Sequence, residues 1–133
     1  MGGDTSIDET TIGTSKTVAF WMQRNAEAST MHLLGKDRAT AAWALQARTA
    51  ADTYVLKFAH QWSVVVGDWN GSTAIRTGQL RHVVVTYDGS SVLNDPVMYV
   101  DGVAETVTEV ATPSVTFSVD DAAALMAGET GGL

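Results

Sequence analysis

The sequence predicts an all-β protein built as an antiparallel β-sandwich. Two runs rich in β-branched residues, Leu80–Tyr87 and Val97–Val100, are each followed by an Asp-Gly dipeptide. Asp-Gly supplies the positive-φ residue that a tight turn between antiparallel strands requires. Short apolar segments separated by such turn signals recur along the chain, and this pattern is typical of a sandwich.

Alternation of apolar side chains predicts the earlier strands. They are Thr17–Gln23, Met31–Leu34, Tyr54–Ala59 and Trp62–Val66. Within the third of these, Lys57 indicates the outward side. The turn-forming residues of Asp68–Ser72 predict a loop. Val84 lies in the middle of its run, so we expect it to be buried.

Two later strands are expected on the same grounds, one at Val103–Val107 and one at Val115–Val119. Val103–Val107 should pair back across Asp101-Gly102 as a two-residue hairpin. The alanine-rich segment Ala39–Ala51 is less clear, because intrinsic propensity favours a helix there. Alternation within it favours a strand around Ala42–Ala47, which is our prediction.

Composition excludes several kinds of function. The 133 residues carry a formal net charge of −7, and the 8 basic residues are scattered rather than clustered, which argues against nucleic-acid binding. There are no cysteines and therefore no disulfides. No apolar run is long enough for a membrane span, and no apolar stretch near the start forms a classical secretory signal.

The segments Gly78–Gly89 and Val97–Val103 resemble the central hairpins of laminin-G-like, concanavalin A-like jelly-roll domains. Val18–Met22, Leu33–Lys36 and Leu125–Gly128 are similar to other strands and turns of that family, although Leu80 stands where many members carry Trp. The resemblance implies a jelly-roll sandwich and one domain over residues 1–133, with 1–16 as a loose lead-in. It also favours a turn and a short strand at Leu125–Ala127 over a capped helical turn in Asp120–Ala127.

The family pattern would add one more strand after Leu133, so the last family strand is expected to be missing. A missing strand leaves an open sheet edge, which native proteins usually cover. We expect this edge, or the strand-like stretch around Ile7, to be covered by identical subunits or by a different protein.

The same fold hosts glycosidases that use a Glu-x-Asp-x-x-Glu strand, and this chain lacks that motif. Glu105 and Glu109 have no third partner, so we interpret them as solvated carboxylates at a sheet edge. We therefore expect no enzymatic activity. His82 is expected to be half-buried and hydrogen-bonded within its sheet.

The predicted ligand-binding or interface residue is Trp69, with its neighbours Asp68 and Asn70. An exposed indole flanked by polar groups can stack on a sugar or anchor a protein interface. The alternative is an indole folded back over the end of the sandwich. The other three tryptophans, Trp21, Trp43 and Trp62, lie in predicted strands and are expected in the core.

No cofactor is expected, and calcium is the ion that the resemblance implies. The weak candidates among loop carboxylates are Asp88, Asp95 and Asp120. Two functions follow from the resemblance. One is a non-catalytic structural module on a larger assembly, such as a phage capsid decoration or tail component. The other is a carbohydrate-binding, lectin-like module of a secreted or surface protein. Either places the chain on a virion or an extracellular surface, without membrane insertion.

Overall fold

The computed structural model describes residues 15–25, 30–36, 43–50, 53–62, 65–114 and 125–127. Within these ranges the chain forms ten β-strands in two antiparallel sheets and no helix. The predicted antiparallel β-sandwich is thus confirmed. The described residues contain no helix that is long and apolar enough to cross a membrane.

One sheet has four strands in the order β1-β6-β7-β8. These strands are β1 (Ser15–Gln23), β6 (Leu80–Asp88), β7 (Val97–Val100) and β8 (Val103–Ala104). The two nine-residue strands β1 and β6 pair along their full length, from Ser15 opposite Asp88 to Gln23 opposite Leu80.

The other sheet has six strands in the order β10-β2-β3-β4-β5-β9. These are β2 (Thr30–Lys36), β3 (Trp43–Ala50), β4 (Thr53–Gln61), β5 (Val66–Asn70), β9 (Thr108–Ala111) and β10 (Leu125–Ala127). A bulge interrupts the pairing of β2 with β3 between His32 and Leu34.

The hydrophobic core lies between the inner faces of the two sheets, where alternate residues of each strand meet. Its buried members are Met22, Leu33, Trp43, Leu45, Ala47, Leu56, Phe58, Trp62, Trp69, Ile75, Val83, Val85, Tyr87, Met98 and Val100. Burial of these side chains is the main force that holds the two sheets together.

Two uncertain segments adopt the predicted strand. β3 begins at Trp43 and pairs with β4 over eight residues, so the strand prediction for the alanine-rich segment is confirmed. Trp43, Leu45 and Ala47 all enter the core, which explains why packing overrides the helical propensity of alanine. The short strand at Leu125–Ala127 is confirmed as β10.

The hairpin between β7 and β8 has the predicted two-residue turn. Asp101 has a φ of 52° and Gly102 a φ of 79°, the conformation that a primed turn requires at both central positions. The following strand is shorter than the predicted Val103–Val107: β8 comprises only Val103–Ala104.

The prediction for β5 is wrong. A strand was expected at Trp62–Val66 and a loop at Asp68–Ser72, but β4 continues to Gln61 and the next strand is Val66–Asn70. Asp and Asn favour loops by propensity, but in β5 the side chains of Asp68 and Asn70 point away from the core. Gly67 makes room for the neighbouring core side chain, because a Cβ there would lie 2.3 Å from the Trp69 ring.

The predicted burial of Val84 is also wrong, whereas the predicted outward direction of Lys57 is right. Val83 and Val85 are the buried valines of β6, at 0% and 1% exposure, whereas Val84 points outward and is only partly buried. A strand with apolar residues on both faces gives no signal for which face is inner. Lys57 does lie on the outward side of its strand, but it is 1% exposed instead of solvated.

Several predictions fall on other parts of the chain. β1 begins at Ser15, two residues inside the predicted lead-in 1–16. The rest of the lead-in with its possible strand near Ile7, the strand Val115–Val119 and the calcium candidate Asp120 lie outside the described residues.

Candidate functional site: the outer face of the four-stranded sheet

The outer face of the four-stranded sheet is assembled from alternate residues of its strands. Trp21 of β1 lies opposite His82 of β6, Ala19 lies opposite Val84, and Val84 lies opposite Tyr99 of β7. Because side chains alternate along a strand, this register defines the whole outward set. Its members are Ser15, Thr17, Ala19, Trp21, Gln23, Leu80, His82, Val84, Thr86, Asp88, Val97, Tyr99 and Ala104.

Large apolar side chains of this set are exposed. Trp21 is 65% exposed, Leu80 61% and Val97 46%. The Trp21 indole lies beside the imidazole of His82, with ring centroids 5.0 Å apart and planes inclined by 46°. A solvated sheet face normally carries polar residues, so exposed side chains as large and apolar as these are unusual on such a face.

Apart from Asp88 at one end, this surface contains no Asp, Glu, Lys or Arg, and we call the part of it without Asp88 the charge-free face. The chain as a whole has 15 acidic and 8 basic residues. The outward set above therefore departs from the rest of the chain in its charge as well as in its hydrophobicity. Depletion of charge together with aromatic residues is the composition of the central part of protein interfaces.

Charged groups begin at the two ends of the face, and there they are bound by neighbouring donors. At one end Arg81 donates to Oδ2 of Asp101 over 2.5 Å, and the His82 N–H donates to Oδ1 over 2.8 Å. The Arg81 hydrogen bond is the main reason that the pKa of Asp101 lies below its ordinary value, and the His82 N–H adds to it. At the other end, the Ser90 backbone N–H chiefly lowers the pKa of Asp88, with help from hydroxyl donors.

β1 forms one edge of the four-stranded sheet in the part of the chain that the structure describes. Among the described strands, β1 pairs only with β6. Its core-facing residues Val18 and Phe20 are only partly buried, whereas Met22 farther along is 6% exposed. The apolar surface therefore continues from the outer face around the β1 edge.

The prediction that Trp69 is an exposed tryptophan is wrong. Trp69 lies in β5 instead of a loop, is 0% exposed, and donates its indole N–H to Oδ1 of Asp95 over 2.7 Å. It stacks on Phe58 with ring centroids 6.0 Å apart. The exposed indole is Trp21, which was expected in the core. The available signal was the presence of apolar residues on both faces of Thr17–Gln23, since only one face can point into a two-layer core.

The two predicted neighbours of Trp69 lie on the outer side of the other sheet. Asp68 contacts Nζ of Lys57 at 2.5 Å and Arg48 at 3.9 Å, and Asn70 lies opposite Lys57 in the register. Asp68 retains 16% side-chain exposure, and its Oδ1 has no hydrogen-bond partner. The structure therefore does not bring the three predicted site residues together on one surface.

The interpretation of Glu105 as a solvated carboxylate is wrong. Its Oε2 accepts the backbone N–H groups of Ser72 and Thr73 at 2.8 and 2.6 Å, and its Oε1 accepts the Thr73 hydroxyl at 2.5 Å. Through these hydrogen bonds Glu105 links the segment after β8 to the loop after β5. Glu109 is exposed on β9.

The candidate calcium ligands do not fit a calcium site in the part of the chain that the structure describes. Oδ1 of Asp88 accepts hydrogen bonds from Ser15 and Ser90, and Oδ1 of Asp95 accepts one from Trp69. Calcium requires several converging oxygen ligands. No group of three or more acidic or histidine side chains converges among the described residues.

Comparison with known proteins agrees with the two-sheet architecture. The family model described as the concanavalin A-like lectin/glucanases superfamily, of laminin G type, matches residues 2–132. No curated protein and no solved structure matches the chain.

Proposed function

Because the chain belongs to the concanavalin A-like lectin/glucanases superfamily, we propose that it is a non-catalytic interaction module. In this proposal it is part of a larger assembly, such as a phage capsid decoration or tail component, and contacts its protein partner through the charge-free face. It would then lie on the surface of a virion or a cell. The observation that carries the proposal is the 65% exposure of Trp21 within a surface that lacks charged residues.

The size of the face is suitable for a protein contact. The four strands comprise nine, nine, four and two residues. At about 3.3 Å per residue and about 4.8 Å between strands, their projected area is about 400 Å². Apolar patches of a few hundred Å² on soluble proteins commonly mark interaction sites. Tryptophan is one of the residue types on which binding energy concentrates, and Trp21 lies on β1 at one side of this patch.

The composition of the face supports binding more than catalysis. His82 is the one imidazole of the face, and its ring contacts the indole of Trp21. General acid–base chemistry normally pairs a proton donor with a second polar group in reach of the substrate. The face offers threonine and tyrosine hydroxyls and an amide beside apolar groups, which suit recognition.

Site-specific photocrosslinking in the native host tests the proposal. A photoreactive amino acid would replace Trp21 on the face in one variant and Val110 in the control. Val110 is 58% exposed but belongs to β9 of the other sheet. We expect one discrete protein adduct from position 21 and none from position 110. Adducts from position 110 alone, or none from position 21 in the native assembly, would contradict the proposal.

The second candidate function is carbohydrate binding, and the exposed indole of Trp21 favours it specifically. Aromatic rings on a flat sheet surface can stack on the apolar face of a pyranose. Native affinity electrophoresis with a panel of soluble glucans, galactans and mannans tests this function. Retardation of the wild type that Trp21→Ala abolishes would support it, and equal mobility in every gel would exclude it for those polymers.

A further inference from the structure

We infer that the charge-free face packs against the same face of a second copy of this chain, so that the protein forms a two-fold symmetric dimer. The inference rests on the proposed function for its choice of surface, and it names the partner. Three features of the face carry it: its charge, its relief and its area.

The first feature is the charge distribution. Each copy carries a net charge of −7, so two copies repel each other through most orientations. Contact through the charge-free face brings no carboxylate against another in the middle of the interface, because the nearest acidic groups, Asp88 and Asp101, lie at its ends. This orientation therefore avoids contact between carboxylates in the middle of the interface.

The second feature is the relief of the face, which is complementary to itself. Trp21 projects from β1 and is 65% exposed. Two residues along the same strand, the row of Ala19, Val84, Tyr99 and Ala104 begins and ends with a small side chain. In the dimer we expect Trp21 of each copy to pack over Ala19 of the other, because a two-fold contact uses the same patch of both copies. Sheets packed in this way lie about 10 Å apart.

The third feature is the area. Two copies contribute about 400 Å² each in projection, estimated from strand spacing and length. Specific interfaces usually remove about 1,200 Å² or more of accessible surface in total, and accessible surface exceeds the projected area because side chains protrude. The total of about 800 Å² in projection is below that of a stable dimer and is typical of a weak, transient contact. We expect a reversible dimer that dissociates on dilution.

Sedimentation equilibrium across a wide concentration range tests the dimer. The wild type should shift from monomer to dimer as concentration rises, and added salt should favour the dimer because it screens the repulsion between acidic chains. Val97→Lys places a charge on the face and should weaken dimerisation at least tenfold. The matched control is Val110→Lys on the other sheet, which should leave the dimer unchanged. Both changes make the chain less acidic, so weaker overall repulsion cannot explain a difference between them.

Two further measurements separate the outcomes. Both variants must keep the wild-type thermal midpoint, and Trp21→Ala gives a second disruption of the face if Val97→Lys does not fold. Trp43, Trp62 and Trp69 are buried, so a blue shift of tryptophan emission on dimerisation would report Trp21. A monomer at every concentration would overturn the dimer, while the crosslink from position 21 to a different protein would still support the proposed function. A dimer that survives both face substitutions would show that another surface is used.

Discussion

Replacing Val85 with Thr and, in a separate variant, Val84 with Thr tests which side of β6 faces the core. The two valines are adjacent in sequence, but Val85 is 1% exposed and packs in the core, whereas Val84 points to the outer face. Threonine keeps the β-branched shape of valine, so strand propensity changes little. The substitution exchanges one methyl group for a hydroxyl, and its cost reports the surroundings of that group.

The expected cost at position 85 is large compared with that at position 84. Burial of a hydroxyl without a good partner costs about 1–3 kcal/mol, and the lost methyl group adds about 0.8 kcal/mol. We therefore expect Val85→Thr to lower the free energy of unfolding by about 2–4 kcal/mol. Such a loss lowers the Tm of a domain of this size by roughly 6–16 °C. Val84→Thr should change the free energy by no more than about 0.5 kcal/mol, as at other surface positions.

Urea denaturation followed by tryptophan fluorescence measures both values. The midpoint should fall for Val85→Thr with an unchanged slope, because a change of slope would indicate an altered denatured state. Equal destabilisation by the two variants would mean that both faces of β6 are equally buried in solution. A larger effect at position 84 would refute the register between β1 and β6.

Two other perturbations probe the charged groups. Asp68→Ala removes the carboxylate that Lys57 contacts and leaves the ammonium group of Lys57, which is 1% exposed, without that partner. We expect the free energy of unfolding measured in urea to fall by about 3–5 kcal/mol, and to fall less for Lys57→Met. Equal losses for the two variants would contradict the burial of the ammonium group. The second perturbation is a decrease in pH. The pKa of Asp101 in the folded protein lies below the ordinary value of 3.8, so the ionised carboxylate stabilises the fold above pH 3.8. This stabilisation is lost as the pH falls through the lower pKa of the folded state. Asp101→Asn should therefore reduce the stability difference between pH 5 and pH 3, and an unchanged difference would exclude this carboxylate as a contributor.

The strands of the four-stranded sheet were predictable because their signals are local. Asp-Gly dipeptides position the turns, and the positive φ of Asp101 and Gly102 shows why those residue types are required there. β5 was not predictable on the same basis. Asp68 and Asn70 are turn formers by propensity, but pairing with β4 and burial of Trp69 decide their conformation.

The candidate site depended even more on the tertiary structure. The sequence singled out Trp69 because polar residues flank it, yet those flanking side chains point outward from a strand while the indole enters the core. Trp21 has apolar neighbours and therefore resembles a core residue in sequence. Only the position of its strand, with the core on the opposite side, exposes it.

The β-sandwich class, the turns at Asp-Gly and the resemblance to concanavalin A-like domains follow from the sequence, because alternation and turn chemistry act over a few residues. The inner face of each strand, the identity of the exposed tryptophan and the assembly of outward residues of four strands into one charge-free face follow from the tertiary structure. Those properties depend on pairing between residues far apart in the chain, such as Trp21 with His82 and Val84 with Tyr99. In a strand that is apolar on both sides, a change of face alters no local preference, so only packing against the second sheet selects between the two arrangements.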